Sequence, residues 1–242
     1  MISKLLSYLK SEGVDGVLKR LISRYRQLKY SPLYHFRKQV IPSYYGVVMK
    51  KNWRDATFRF CINGSYGNFL SDHLSSKKDP FSFLDIGANQ GLYSLIAAQN
   101  PNCVNTTCFE PVKSTYLLLL ENIHLNKVSK KCTALNLGLG KKPDLLAIFL
   151  RENHSGSASL VNHFLAKDNM VEESVEIVSS NIFSDLAISQ KELPIIVKID
   201  VEGKEMEVIE TLVEAEMFSS IDEIFYEVDE EWVNPRDVQL LL

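Results

Sequence analysis

The sequence predicts an α/β protein that consists of a doubly wound, mostly parallel sheet and a basic helical extension at its N-terminus. Short apolar segments of strand length alternate with helical segments from Pro80 onwards, and this alternation is typical of parallel sheets whose crossovers are helices. Charge is divided unevenly: residues 1–60 contain 13 Lys and Arg against 3 Asp and Glu, whereas residues 61–242 contain 14 against 27. We therefore predict a basic extension over residues 1–56 and an α/β domain over residues 57–242.

The composition excludes several classes of protein. Apolar residues make up 45% of the chain and charged residues 24%, which is close to the average for soluble domains and unlike disordered or collagen-like chains. No apolar run reaches the ~20 residues that a membrane-spanning helix needs. The four cysteines include no CxxC pair, so we expect buried, reduced thiols. The first residues lack the features of a secretory signal, and we expect a cytoplasmic protein.

The N-terminal extension is predicted to be helical over residues 2–28, where apolar side chains recur every three or four positions. Its lysines and arginines lie largely off this apolar stripe. A basic amphipathic helix is typical of membrane interfaces, but a helix packed on its own domain has the same pattern. Residues 1–29 therefore predict, as one alternative, peripheral association with the inner face of the membrane. An irregular connector over residues 30–55 follows, interrupted by Pro32 and Pro42.

The remaining elements are predicted from periodicity and from glycine and proline boundaries. The predicted strands are Thr57–Ile62, Phe81–Ile86, Asn105–Phe109, Cys132–Leu137, 144–150, 174–178, Pro194–Ile199 and Ile221–Val228. The predicted helices are 68–76, Leu92–Gln99, Ser114–Leu125 and Lys204–Ala215. A polar loop, Ser155–Ser159, is predicted to be flexible.

A glycine-rich turn follows the first strand of the predicted parallel sheet. The strand ends at Asp85, and Gly87, Asn89 and Gly91 follow before the next helix. The spacing lacks the G-x-G-x-x-G pattern of dinucleotide-binding proteins. An acid at this strand tip would repel a pyrophosphate but suits a cationic ligand such as the amino-acid end of S-adenosylmethionine. A turn without any ligand is the alternative.

Acidic residues end two further strands. Glu110 lies at the tip of the second strand, where a carboxylate can accept both ribose hydroxyls of a nucleoside, although a solvated loop carboxylate is the simpler alternative. Asp200 and Glu202 follow the apolar strand before Gly203. Their carboxylates could act as the general base for a hydroxyl or as ligands of a divalent metal, and Asp200 could instead cap the following helix.

Together these segments resemble FkbM-type methyltransferases over about residues 57–231. The segments that match in order are DIGANQG (85–91), FEP (109–111), NLGLG (136–140), KIDVEG (198–203) and the later Glu227. The resemblance implies a Rossmann-like class I methyltransferase sheet, S-adenosylmethionine as the methyl donor, and O-methylation of a sugar, a glycan or a related small molecule.

The resemblance also implies roles for individual residues. It assigns the methionine end of the cofactor to Asp85, Gly87, Asn89 and Gly91, the ribose to Glu110, and the adenine to the stretch that begins at Asn136. Asp200 and Glu202 would face the methyl acceptor, and either could remove its proton. A divalent metal, if used, would take its ligands from Asp200, Glu202 and Glu227.

The chain departs from the family pattern in two places. Asp229 stands where the family often has a histidine. The family also continues into a closing pair of strands, which we do not find here, so the sheet is expected to lack its last strands and to leave Ile221–Val228 at an exposed edge.

Two other functions remain as alternatives. A nucleic-acid methyltransferase is disfavoured, because no N/D-P-P-Y segment follows the fourth strand and the domain is acidic, whereas phosphate backbones require positive charge. A non-catalytic scaffold at the membrane surface, which retains only the fold, is favoured by the basic amphipathic N-terminus.

Overall fold

The computed structural model describes residues 39–151, 154–159, 170–186 and 193–227, together with the helical residues 14, 18, 21, 22 and 25. The strands are β1 (Val40–Pro42), β2 (Val48–Lys50), β3 (Phe81–Ile86), β4 (Cys103–Phe109), β5 (Cys132–Leu135), β6 (Gly138–Leu139), β7 (Asp144–Arg151), β8 (His154–Ser159), β9 (Met170–Val178), β10 (Ile195–Ile199) and β11 (Ile221–Tyr226). The helices are α1 (Ala56–Asn63), α2 (Phe69–Ser76), α3 (Leu92–Gln99), α4 (Lys113–Leu125), α5 (Ile182–Asp185) and α6 (Glu205–Val213).

The central sheet has five parallel strands in the order β11-β10-β3-β4-β5. Chain order reverses between β3 and β10, which is the doubly wound arrangement. Both strands are buried along their whole length, as expected of a parallel sheet with layers on both faces. The predicted doubly wound, mostly parallel fold is confirmed.

A second sheet, in the order β6-β9-β7-β8, lies beside the carboxyl ends of the central strands. Its strand β8 occupies the segment that was predicted as a flexible polar loop, and that prediction is wrong. Ser155 and Gly156 donate backbone hydrogen bonds to Asp55 Oδ2 at 2.7 Å and to Thr57 Oγ1 at 2.9 Å. Contacts with a distant segment therefore hold β8, and its own serines and glycine give no strand pattern.

The predicted strand Thr57–Ile62 is wrong, because the segment forms helix α1. Asp55 Oδ1 accepts a hydrogen bond from Phe58 N at 2.8 Å and caps the helix, and Gly64 ends it with a φ of 73°. The buried positions follow a helical spacing: Ala56, Thr57, Phe58, Cys61 and Ile62. The alternation of polar and apolar residues suggested a period of two, but burial follows the helical period.

The segment predicted as an irregular connector contains an ordered hairpin, β1–β2. Ile41, Val47 and Met49 are fully buried in the same core cluster as α3 and α4. The amide side chains of Asn122 and Asn126 accept hydrogen bonds from the backbone of β2 at 2.7 and 2.9 Å. The hairpin is therefore part of the packed core. The division of the chain at residue 56 stays a prediction.

The ends of the chain lie largely outside the described residues. Within the predicted helix 2–28, the five described residues are helical and exposed. No helix in the described part is long and apolar enough to cross a membrane. Strand β11 is partly buried, whereas a buried strand was predicted, because it pairs in the described part only with β10. Asp229 lies outside the described residues.

Candidate active site

A cavity of about 310 Å³ lies at the carboxyl ends of β3, β4 and β10, where the strand order reverses. Ligands of doubly wound sheets bind at this position, and the volume falls within the usual range of ligand cavities. Six of the nine residues predicted from the sequence line the cavity: Gly87, Asn89, Glu110, Asp200, Glu202 and Glu227. Asp85, Gly91 and Asn136 do not.

The glycine-rich turn shapes the floor of this cavity. Gly87 has a φ of +77°, and a Cβ there would lie 1.8 Å from the carbonyl oxygen of Asp200. Gly87 N and Ala88 N both donate to Phe109 O, at 3.0 and 2.9 Å. The turn therefore binds the tips of β4 and β10 together, and only glycine permits this approach. Gly91 instead allows α3 to pack, since a Cβ there would lie 2.4 Å from Leu119 Cδ1.

Glu110 lies at the tip of β4 and is only 5% exposed. Its carboxylate accepts hydrogen bonds from Asn89 N and Val112 N, both at 2.9 Å. Burial raises the pKa of Glu110 to about 7, against the opposing effect of these two bonds. The alternative of a solvated loop carboxylate is therefore wrong, and the side chain faces the cavity as an acceptor.

Asn136 acts on the backbone beside Glu110 and does not face the cavity. Its Nδ2 donates to the carbonyl oxygens of Glu110 at 3.0 Å and Pro111 at 2.7 Å. The residues that follow it, Leu137–Leu139, do line the cavity. The side chain of Asn136 holds the loop that forms the wall, and its own contact with the cofactor stays a prediction.

Asp85 is fully buried beneath the cavity. Ser94 Oγ donates a hydrogen bond to Asp85 Oδ2, and Lys198 Nζ lies 3.3 Å from Asp85 Oδ1. The carboxylate of Asp85 is therefore used within the protein, and its contact with the methionine end stays a prediction.

Lys198 is a site residue that the sequence reasoning missed. Its Nζ donates to Gly87 O at 2.7 Å and lies 3.3 Å from Asp200 Oδ2. Burial alone would lower the pKa of Lys198, but the carboxylates of Asp85 and Asp200 outweigh burial and raise it. One signal was available, since Lys198 is the single charged residue in the otherwise apolar strand β10.

Asp200 and Glu227 form a carboxyl pair. The charge of Asp200, then burial and a hydrogen bond between the two side chains, raise the pKa of Glu227 to about 6. Asp200 does not cap α6, because Glu205 Oε1 accepts the backbone hydrogen bonds of Val201 and Gly203 at 3.3 and 3.1 Å. Glu202 is exposed and has a φ of +53°.

The predicted metal ligands do not gather into a site. Among the described residues, no group of three or more His, Cys, Asp or Glu side chains is arranged to hold a metal ion. Asp200 instead directs Oδ2 towards Lys198.

A second cavity of about 490 Å³ adjoins the first. The two share Thr57, Tyr66, Asn89, Asp200 and Glu227 as lining residues. Aromatic side chains, among them Tyr93 and Phe225, form much of the remaining wall of the second cavity. The Asp200–Glu227 pair therefore stands at the junction of two ligand-sized spaces.

The model of the Methyltransferase FkbM domain matches residues 85–238. The chain belongs to the FkbM methyltransferase family. The matched range contains the glycine-rich turn, Glu110, Lys198, Asp200 and Glu227 of the cavity.

Solved structures show weaker likenesses. A Pyrococcus horikoshii protein described as a transferase is 18% identical, with 50% of this chain and 49% of that one covered and a TM-score of 0.33. TYW2 of M. jannaschii in complex with AdoMet is 16% identical, with coverages of 41% and 44% and a TM-score of 0.33. Precorrin-6y C5,15-methyltransferase of Geobacter metallireducens is 12% identical, with coverages of 72% and 65% and a TM-score of 0.36.

The chain spans less than two thirds of the length of each of these three structures. No curated protein matches it. The family assignment rests on the domain match.

A hydrogen-bond network, which sequence reasoning missed, attaches the second sheet to the glycine-rich turn at the cavity. The Asp55 carboxylate accepts from Gln90 Nε2 at 2.9 Å, from Ser155 N at 2.7 Å and from Ser155 Oγ at 3.2 Å. Ser155 Oγ also lies 3.0 Å from Asn89 Oδ1. Asp55 therefore connects the cap of α1, the glycine-rich turn and β8, which forms part of the cavity wall.

Proposed function

We propose that this protein is an S-adenosylmethionine-dependent O-methyltransferase whose acceptor is a hydroxyl of a sugar, a glycan or a related small molecule. One observation supports the proposal above the others: two adjoining cavities meet at a pair of carboxyl groups, inside an FkbM methyltransferase domain. One cavity would hold the methyl donor and the other the acceptor.

The residues of the first cavity fit S-adenosylmethionine. Glu110 offers a buried carboxylate that can accept both ribose hydroxyls. Leu137, Leu139 and Ile148 provide an apolar wall suited to adenine. Gly87 and Asn89 line the cavity beside the strand tips, where the methionine end would lie. Bound there, the cofactor supplies a methyl group that passes from sulfur to the acceptor oxygen.

The Asp200–Glu227 pair would take up the proton of the acceptor hydroxyl. A general base must lie within hydrogen-bond reach of the proton that it removes, and these two side chains line both cavities. Glu202 lines only the first cavity, so we assign the base to Asp200, with Glu227 sharing the proton.

Calorimetry and a methyl-transfer screen test this proposal. Wild-type protein should bind S-adenosylmethionine and transfer labelled methyl groups to members of a panel of sugar nucleotides and glycans. Asp200→Asn should lower the transfer rate by about 100-fold or more at saturating S-adenosylmethionine, and Glu227→Gln should lower it less. Glu202→Gln is the matched control and should retain most activity.

Three results would contradict the proposal or a part of it. Absence of cofactor binding would favour a non-catalytic scaffold. Full activity of Asp200→Asn together with loss of activity in Glu202→Gln would move the base to Glu202. Steeply salt-dependent binding of RNA, with methylation of that RNA, would replace the sugar acceptor by a nucleic acid.

Membrane association is a separate proposal, supported by the helical residues near the N-terminus. Val14, Leu18, Leu21, Ile22 and Tyr25 are all exposed and share the helical spacing of one face. The basic residues around them favour anionic lipid. The protein should float with anionic vesicles, and Leu18→Glu/Leu21→Glu should abolish flotation without reducing methyl transfer to a soluble acceptor. Equal flotation of both proteins would refute it.

A further inference from the structure

Three charged side chains meet beneath the junction of the two cavities. In the sheet, Lys198 of β10 is paired in register with Asp85 of β3. Lys198 Nζ lies 3.3 Å from Asp85 Oδ1 and 3.3 Å from Asp200 Oδ2. We refer to Asp85, Lys198 and Asp200 as the charge triad. It contains two carboxylates and one ammonium, so its formal charge is −1.

The members of the triad differ in exposure. The side chains of Asp85 and Lys198 are 1% and 8% exposed, whereas that of Asp200 is 35% exposed. The buried pair cannot be screened by water, so its charges act over a longer range than surface charges do. Asp200 is the member that presents the excess negative charge to the cavities.

Lys198 has a second contact, to the turn that shapes the cavity floor. Its Nζ donates to Gly87 O at 2.7 Å. This bond directs the Gly87 carbonyl towards the interior, and the same ammonium allows Asp85 to remain buried as a carboxylate, because a buried charge requires a partner. Lys198 is thus connected to the turn and to both carboxylates at once.

We propose that the charge triad raises the affinity of this site for a sulfonium cofactor relative to its neutral thioether product, with Lys198 as the positioning residue for Gly87 and Asp85. The inference rests on the proposed use of S-adenosylmethionine. S-adenosylmethionine and S-adenosylhomocysteine differ only by one methyl group and one positive charge. The ratio of their dissociation constants therefore measures the electrostatic preference and cancels most effects of general damage to the site.

The decisive variant is Asp85→Asn, which keeps the shape of the side chain and removes one negative charge. Calorimetry should show S-adenosylmethionine losing about tenfold in affinity relative to S-adenosylhomocysteine, the order expected of one unit charge acting over about 10 Å at an effective dielectric constant of about 20. Asp200→Asn should shift the ratio in the same direction. It serves as the second variant if Asp85→Asn does not fold, since Asp200 is partly exposed.

Two controls separate charge from structure. Ser94→Ala removes the hydrogen bond to Asp85 at the same buried place without changing any charge, so the ratio should stay at its wild-type value. Asp85→Asn/Lys198→Met restores the charge of −1, so the ratio should return towards wild type, while both affinities fall together because Gly87 O has lost its donor.

The outcomes distinguish this inference from the proposed function. If wild-type protein binds neither compound, the proposed function fails and the inference fails with it. If both compounds bind and neither Asp85→Asn nor Asp200→Asn changes the ratio, the inference is overturned while the proposed function stands. A ratio that shifts equally in Ser94→Ala would also overturn it.

Discussion

The turn after β3 and the β7–β8 hairpin face each other across one cavity, but they are stabilised in different ways. The turn is set by its own residues, since Gly87 permits a backbone approach that no other residue allows. The hairpin reaches the site through Asp55, which lies 100 positions from Ser155 in the chain. A rigid floor thus faces a wall whose position depends on a few hydrogen bonds.

The largest effect is expected from Gly87→Ala, which tests the rigidity of the floor. The new Cβ would lie 1.8 Å from the carbonyl oxygen of Asp200, so the tips of β3 and β10 must separate. We expect a loss of more than about 3 kcal/mol in the free energy of unfolding, measured by urea denaturation.

Gly46→Ala is the matched control for this change. Gly46 also has a positive φ, of +85°, but no atom lies within 4 Å of its added Cβ. It should cost only the backbone strain, about 1 kcal/mol. Similar losses in the two variants would show that the close approach is not what requires glycine at position 87.

The next effect concerns Glu110, which accepts a hydrogen bond from Asn89 of the turn. It is measured as the pH dependence of the free energy of unfolding. Burial raises the pKa of Glu110 to about 7 in the folded protein, whereas an unfolded Glu titrates at about 4.3. Between these values the native state holds a proton that the unfolded state has released. Stability should therefore fall by about 3 kcal/mol as the pH rises through this window. Glu110→Gln should remove that decline, and a decline of equal size in the variant would assign it to other groups.

The wall is tested by Asp55→Ala. The change removes the cap of α1 and the acceptor of both Gln90 and Ser155. We expect a loss of about 2 kcal/mol in unfolding free energy. Hydrogen exchange should accelerate in β8 more than in β3. Equal acceleration of hydrogen exchange in β8 and β3 would contradict the inference that the hairpin is held separately from the turn.

The smallest effect is expected from Thr57→Val, which removes the acceptor of Gly156 N and the hydrogen bond between Thr57 and Tyr66. The volume of the side chain is nearly unchanged, so the loss should be about 1 kcal/mol. Exchange at Gly156 should accelerate while the amides of α1 keep their wild-type rates. Unchanged exchange at Gly156 would show that this bond does not hold β8.

The same contrast explains which predictions succeeded. Strand Phe81–Ile86 and helix Leu92–Gln99 have the predicted bounds, because apolar periodicity and glycine boundaries are local signals. Helix α1 was predicted as a strand, since its six-residue alternation fits a period of two. Only its N-cap at Asp55 and its packing favour the helix that the structure shows. Strand β8 gave no local signal, because it is held by contacts with a segment far along the chain.

At the site, the residue types and the strand ends followed from the sequence: acids at the tips of β4 and β10 and glycines after β3. Which acids line the cavities depended on the strand order. Inserting β10 beside β3 places Lys198 in register with Asp85 and withdraws that carboxylate from the cavity. It also brings Glu227, at the end of the neighbouring β11, to Asp200. Chain periodicity encodes local structure, whereas the pairing of buried charges depends on neighbours that only the folded sheet supplies.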